Sequence, residues 1–125
     1  MGQKILWLLA AGALGTLARY ALGNWVQQAH GTGFPWGTWV VNILGCMLFG
    51  VVWTLSEERG LFSADLRLVI LTGFMGAFTT FSTYMFDTNQ LLRGSQFGAA
   101  AANFFGQNLL GFGALLLGAA LARIF

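Results

Sequence analysis

The chain has 125 residues, of which 57% are apolar and only 8% are charged, and its formal net charge is +2. A soluble domain carries roughly 25% charged residues, and a soluble chain of this length could not bury so much apolar surface. The composition therefore predicts a single integral membrane domain, residues 1–125. A net charge this small does not predict a nucleic-acid partner.

Uncharged stretches divide the chain into four segments, each of which reaches the length of about 20 residues that a helix needs to cross a bilayer. The predicted spans are residues 5–25, 36–56, 67–92 and 97–121. Short connections keep neighbouring helices antiparallel, and tryptophans near the span ends are typical interfacial anchors. The first apolar run continues without a break suited to cleavage, so we expect no cleavable signal peptide. The sequence predicts an all-α membrane bundle of four transmembrane helices.

The basic residues divide unevenly between the two sides of such a bundle. The side with both termini and the second loop carries Lys4, Arg59, Arg67 and Arg123, and the other carries Arg93 and Arg19. The positive-inside rule would place the termini in the cytoplasm. The bias is small, however, and three acidic residues lie on the richer side. The sequence therefore allows insertion in both orientations, which would produce an antiparallel dual-topology homodimer.

The first span carries an arginine on a glycine-rich face. Gly12, Gly15, Arg19 and Gly23 recur at helical spacing. An arginine at a helix centre costs about 2.5–3.5 kcal/mol on insertion scales. Arg19 either extends to the headgroups or provides a cation at the mouth of an anion path. The glycines favour the second interpretation, because they let another helix approach the charged face.

The second and fourth spans carry amides. Asn42 lies on one stripe of the second span, where it either bonds neighbouring helices or donates hydrogen bonds to a dehydrated anion. Asn103 and Gln107 lie on a face of small and polar residues in the fourth span. That face is suited to packing a partner or to lining a polar track.

The third span has the most unusual composition, in the stretch GFMGAFTTFSTY, residues 73–84. Its glycines weaken a helix, and its four Ser/Thr hydroxyls compete for backbone carbonyls. A broken helix is tolerated in a membrane only where it is buried in protein or lines a wet cavity. We therefore expect a break here, with freed carbonyls that could coordinate a hard cation. The aromatic residues of the stretch either pack in a core or turn their partly positive ring edges toward an anion.

Enzyme chemistry has little support in this sequence. His30 lies in a glycine-rich loop, and Ser82 is not part of a G-x-S-x-G motif. The sequence contains no carboxylate pair and no metal-ligand spacing. Cys46, in an apolar stretch, is expected to be a small packing residue. We therefore predict that the protein is not an enzyme.

Three motifs resemble the Fluc/CrcB family of fluoride channels, and the similarity runs essentially from end to end. They are GALGTLARY (residues 12–20), PWGTWVVNILGCMLFG (residues 35–50) and TGFMGAFTTFSTY (residues 72–84). The second and third motifs are long and specific, and their order in a four-span chain strengthens the match.

The resemblance implies a passive fluoride channel that lowers cytoplasmic fluoride, in a bacterial or archaeal cytoplasmic (inner) membrane. It also implies an antiparallel dual-topology homodimer with two pores, and a third helix broken at the membrane centre. Backbone carbonyls at the break would hold a structural sodium ion, and by motif position these belong to Gly76 and Thr79.

The same resemblance assigns the residues of the fluoride path. They are Asn42, Thr80, Phe81, Ser82, Thr83 and Tyr84 in the pore, Arg19 in the vestibule, and more weakly Asn103 and Gln107. Tyr84 departs from the family, which has a second phenylalanine at this place. Its hydroxyl adds a donor and changes the size of the pore.

The residues agree with an anion path. Fluoride holds its water tightly, so a dry pore must replace hydration with amide, hydroxyl and ring-edge donors. The spans are nearly free of carboxylates, with Asp87 near an end. A central cation would add positive potential without a mobile side chain.

Two alternatives remain from the sequence. One is a small multidrug exporter, also a four-span dual-topology dimer, but that class needs a carboxylate in its first helix, where this chain has Arg19. The other is a membrane assembly subunit that transports nothing and uses its polar faces only to join helices. Fluoride flux through the reconstituted protein would distinguish a fluoride channel from both alternatives.

Overall fold

The computed structural model describes residues 2–124, and within them the chain is helical and contains no strand. Four helical segments are long and apolar enough to cross a membrane: Gly2–His30, Trp36–Glu57, Ala64–Arg93 and Phe97–Ile124. This confirms the prediction of an all-α, four-span, multi-pass membrane protein. The helices continue past the predicted spans, by five residues at the end of the first, because helical bonding does not stop where the apolar run stops.

The first, second and last segments are continuous helices, whereas the third is composite. The continuous ones are α1 (Gly2–His30), α2 (Trp36–Glu57) and α6 (Phe97–Ile124). The third consists of α3 (Ala64–Leu68), a π-helical stretch (Val69–Met75), α4 (Gly76–Phe78) and α5 (Phe81–Arg93). Thr79 and Thr80 interrupt it near its middle.

Glycines allow the helices to approach one another closely. A Cβ on Gly50 or Gly118 would collide with the backbone of the facing helix, so α2 and α6 pack at their backbones. Gly15 of α1 lies in the same way against the carbonyl of Phe74 in the π-helical stretch. This close packing places the irregular third span between α1 and α2.

The buried core is small and lies beside the irregular third span. It consists of Val41, Leu71, Met75 and Phe78, with partly buried apolar neighbours from α1 and α2 around it. Many large apolar side chains on the outer faces are exposed, among them Leu9, Leu17, Leu109 and Phe112. Large apolar residues on the outer faces are expected of a bundle that has lipid as its solvent.

Ion pairs link the helices at one end of the bundle, and side-chain hydrogen bonds hold a loop at the other end. At the end with the termini, Lys4 pairs with Asp65 at 2.6 Å and Arg123 with Glu58 at 2.6 Å, and Arg67 pairs with Glu57. At the other end, Gln27 holds the α1–α2 loop. Its side chain accepts the N–H of Gly37 at 3.1 Å and donates to the carbonyl of Phe34 at 3.0 Å.

Candidate functional site

The third span is interrupted where its hydroxyl residues begin. Thr79 and Thr80 are extended, with φ and ψ of −87° and 160° and of −149° and 114°. The Thr79 hydroxyl donates at 3.0 Å to the carbonyl of Met75, which also accepts the Thr79 N–H. The Thr80 hydroxyl oxygen then caps α5 by accepting the N–H of Thr83 at 3.3 Å. Side chains of the stretch itself therefore end one helix and begin the next.

Asn42 of α2 holds this interruption in place. Its Oδ1 accepts the N–H of Thr80 at 2.8 Å, and its Nδ2 donates to the carbonyl of Thr80 at 3.0 Å. Nδ2 also donates to Oε1 of Gln107 at 2.8 Å. One side chain thus satisfies both backbone groups of Thr80, and both of its own amide hydrogens are engaged within the chain.

The carbonyls of Gly76 and Thr79 are among those that lose their usual donors at the interruption. In a continuous α-helix the carbonyl of Gly76 would accept the N–H of Thr80, and that of Thr79 would accept the N–H of Thr83. Here the first N–H is bonded to Asn42 and the second to the Thr80 hydroxyl. Oxygen ligands of this kind suit a hard cation. The residues therefore fit the cation site that the resemblance implies.

A row of buried side chains continues from Asn42 across the bundle. Nε2 of Gln107 donates to Oδ1 of Asn103 at 2.8 Å, and Nδ2 of Asn103 donates to the Thr88 hydroxyl at 2.8 Å. Thr88 in turn donates to the carbonyl of Tyr84 at 2.9 Å. Asn103 is fully buried, with 0% of its surface exposed. The row joins α2, α5 and α6 by hydrogen bonds that all run in one direction, and such networks fix side-chain orientation.

The two predicted pore rings differ in their surroundings. Phe81 is 73% exposed, whereas Tyr84 is only 4% exposed. The rings lie edge to face, with centroids 5.7 Å apart and an interplanar angle of 63°. Tyr84 also stacks on Phe104 of α6, with centroids 6.1 Å apart. Phe81 thus projects from the chain, and Tyr84 is fixed within it.

A groove of about 400 Å³ runs along the interruption, and we call it the broken-helix groove. It brings together seven of the predicted site residues. They are Asn42, Gly76, Thr79, Thr80, Phe81, Tyr84 and Gln107. The predicted residues outside it are Arg19, Ser82, Thr83 and Asn103.

Arg19 lies in a second cavity of about 400 Å³, the Arg19 cavity. Thr80 and Thr83 line this cavity too, and Thr80 is also part of the broken-helix groove. Ser82 lies beside them, with its hydroxyl 3.5 Å from that of Thr80. Arg19 is half-buried, and none of the three salt bridges found within residues 2–124 involves it. Its charge therefore acts on the cavity without a carboxylate partner.

A third cavity, of about 390 Å³, lies beyond the Arg19 cavity. Gln27 and Thr38 line both, and Asp87 and Gln90 line only the third. The Thr38 hydroxyl donates to a carboxylate oxygen of Asp87 at 2.8 Å. Shared lining residues thus place the third cavity, the Arg19 cavity and the broken-helix groove next to one another, and we call this series of cavities the polar route.

Three polar residues of this region did not emerge from the sequence. Thr88 follows Tyr84 by one helical turn, and Asn108 lies just beside the face predicted from Asn103 and Gln107. Gln27 stands in a polar stretch that reads as a loop. Asn108 could have been predicted from Tyr84, because a tyrosine hydroxyl inside a membrane span needs a hydrogen-bond partner.

Comparison with known proteins identifies relatives along nearly the whole chain. A family model described as CrcB-like protein, Camphor Resistance (CrcB), matches residues 6–119. A protein of Nitrosococcus oceani named "Fluoride-specific ion channel FluC" is 54% identical, over 99% of both chains. Proteins of the same name from Solidesulfovibrio magneticus and Acidobacterium capsulatum are 52% and 43% identical, over 99% and 93% of both chains.

Proposed function

This chain belongs to the CrcB family, and on that premise we propose that it is a fluoride-selective channel through which fluoride leaves the cytoplasm passively. The observation that carries the proposal is the full-length similarity to relatives that bear the name of a fluoride channel. The same similarity makes the protein a channel and not an enzyme.

The polar route offers fluoride the donors that its lost hydration requires. The Thr83 hydroxyl accepts a hydrogen bond from Thr80 at 3.0 Å, so its own hydrogen stays available in the Arg19 cavity. Gln107 has used one amide hydrogen and keeps the other, and it lines the broken-helix groove. Asn42 instead holds Thr80, since donating to an ion would require releasing one of its bonds.

The half-buried charge of Arg19 favours entry of an anion, because charge in a narrow cavity concentrates counter-ions. The ring of Phe81 offers its positive edge to an ion without trapping it as a full charge would. Chloride is larger and less strongly hydrated, so it gains less from a close fit to such donors. Fluoride also loses more hydration energy on entry, so we expect selectivity for fluoride because close donors repay that loss for the smaller ion.

Fluoride tolerance of whole cells tests the export role. A bacterium without its own fluoride export should regain growth in fluoride medium when it expresses this chain, and its internal fluoride should fall. Phe81→Ile keeps most of the bulk but removes the ring edge, and serves as the matched control. Equal tolerance with an empty vector would contradict the proposal.

The working channel is proposed to be an antiparallel homodimer in the cytoplasmic membrane. The broken-helix groove carries exposed Phe81, and a side chain on Gly76 would meet nothing closer than the Leu71 carbonyl at 3.9 Å. A second copy would supply the missing wall of the groove. Cysteine labelling of the termini from outside intact cells should modify part of the chains, and uniform labelling or uniform protection would contradict dual topology.

A structural sodium ion is proposed at the interruption, held by the carbonyls of Gly76 and Thr79. Support comes from the engagement of their usual donors elsewhere. Bound there, the ion would contribute positive potential near the path of the anion. Fluoride flux and dimer stability in detergent should both fall after prolonged sodium depletion, and recover slowly on its return. Unchanged dimer stability without sodium would contradict the site.

A further inference from the structure

The Tyr84 hydroxyl has no role so far in the proposed passage of fluoride, although Tyr84 is one of the two predicted pore rings. A buried hydroxyl in a membrane needs hydrogen-bond partners, since an unsatisfied polar group there costs several kcal/mol. Tyr84 finds them on α6. Its hydroxyl donates to the carbonyl of Phe104 at 2.9 Å and accepts from Nδ2 of Asn108 at 2.6 Å.

Asn108 completes this arrangement. Its Nδ2 also donates to the Phe104 carbonyl at 2.6 Å. The Asn108 amide, the Tyr84 hydroxyl and the Phe104 carbonyl are therefore all hydrogen-bonded to one another. Both amide hydrogens of Asn108 and the hydroxyl hydrogen of Tyr84 are used in these bonds. The hydroxyl therefore has no hydrogen left for an ion in the groove, although both residues line it.

The consequence for Tyr84 is a fixed ring. Hydrogen bonds at the hydroxyl and stacking of the ring face on Phe104 restrain the ring, which also lies edge to face with Phe81. A phenylalanine at this place would have only the stacking. The ring orientation thus depends on a partner that lies 24 residues further along the chain.

On the basis of the proposed fluoride channel, we infer that Asn108 is a positioning residue that fixes the Tyr84 ring beside the fluoride path. The tyrosine hydroxyl holds the ring through its hydrogen bonds on α6 and does not bind the ion. Asn108 therefore acts through Tyr84, and its importance depends on the hydroxyl.

A double-mutant cycle tests this dependence through fluoride efflux from liposomes. Asn108→Leu keeps the bulk of the side chain but removes its donors, so it should slow efflux at least about threefold when Tyr84 is present, a coupling typical of contacting residues. The same substitution in the Tyr84→Phe background should change efflux much less, measured against Tyr84→Phe alone. Because Tyr84→Phe removes the hydroxyl through which Asn108 acts, the double variant should match Tyr84→Phe alone.

Asn108→Ala provides a second test if the leucine variant does not assemble. Leu109→Ala, an exposed apolar position next along α6, controls for a general disturbance of the helix. An equal loss in both backgrounds would overturn the inference, because Asn108 would then act by itself. No loss with Tyr84 present would overturn it as well. Absence of fluoride efflux from the unmodified protein would instead contradict the proposed function.

Discussion

At the scale of single residues, the amide of Asn42 shows how one side chain can stabilise an irregular backbone. Thr80 leaves the helix with its N–H and carbonyl directed to the same partner on α2. Backbone groups inside a membrane segment cannot turn to water, so this partner determines whether the interruption is stable. The amide group is suited to the task because it offers both an acceptor and two donors.

Replacement of Asn42 by alanine should therefore destabilise the interruption. Two backbone groups of Thr80 and the side-chain oxygen Oε1 of Gln107 lose their partner, and each unsatisfied buried group costs about 1–3 kcal/mol. We expect a lower melting temperature in detergent and a strong loss of fluoride flux. Cys46→Ala, one turn further along α2, is the matched control. Wild-type stability of the Asn42→Ala protein would contradict the holding role.

Gly45 provides a second residue-scale test, because a Cβ there would collide with the methyl group of Thr79. Gly45→Ala should displace the Thr79 side chain, whose hydroxyl is bonded to the Met75 carbonyl, and reduce flux, although alanine favours a helix over glycine by about 1 kcal/mol. Gly98→Ala is the control, since a Cβ at Gly98 would meet nothing within 4 Å. Equal flux in the two variants would show that the Gly45–Thr79 contact does not position the interruption.

At the scale of helices, the sequence predicts the number and type of the elements well. Hydropathy suffices for the four spans because each must be apolar over most of its length. The glycines and hydroxyls of residues 73–84 also indicated the interruption. The π-helical stretch Val69–Met75 was not predicted, and Gly15 of α1 packs against the Phe74 carbonyl within it. Contacts between helices leave no local pattern in the sequence. For the same reason Thr88, which bonds Asn103, and Asn108, which bonds Tyr84, were not predicted.

The α2–α3 loop allows an element-scale test of pH dependence. The hydrogen bond from Arg123 holds the pKa of Glu58 below its ordinary value, although the pair is exposed. A carboxyl with a lowered pKa contributes its stability above the unfolded pKa and loses it as the pH falls through the folded value. The melting temperature of the wild type should therefore exceed that of Glu58→Gln slightly near neutral pH, and the difference should vanish in acid. A difference that persists at low pH would show that the charge is not responsible.

At the scale of the whole molecule, one chain presents the polar route, to which the proposed dimer would add a further wall. The interruption, the exposed Phe81 and the freed carbonyls all lie along one groove. The sequence indicated seven residues of this groove through the family resemblance, whereas the place of Asn108 in it and the separation of the groove from the Arg19 cavity required the structure. A second copy is the occupant that the proposed dimer assigns to this face.

A substitution at Gly76 tests whether two chains approach each other at the interruption. Gly76 is exposed in a single chain, and a Cβ added there would meet only the Leu71 carbonyl, at 3.9 Å. If two interruptions approach each other in the dimer, Gly76→Leu should leave the helix content unchanged but shift the protein toward monomer in detergent. Gly113→Leu, at a position where an added Cβ would meet nothing within 4 Å, is the control. A fully dimeric Gly76→Leu protein would contradict close approach at this residue.

Ion efflux from liposomes tests the central claim most directly. Purified protein is reconstituted, the voltage is clamped with a potassium ionophore, and fluoride or chloride is measured with a selective electrode. We predict rapid fluoride efflux that depends on the protein, no comparable chloride efflux, and no requirement for a proton gradient. Efflux of both halides at the same rate, or no fluoride efflux from a well-folded protein, would contradict the account.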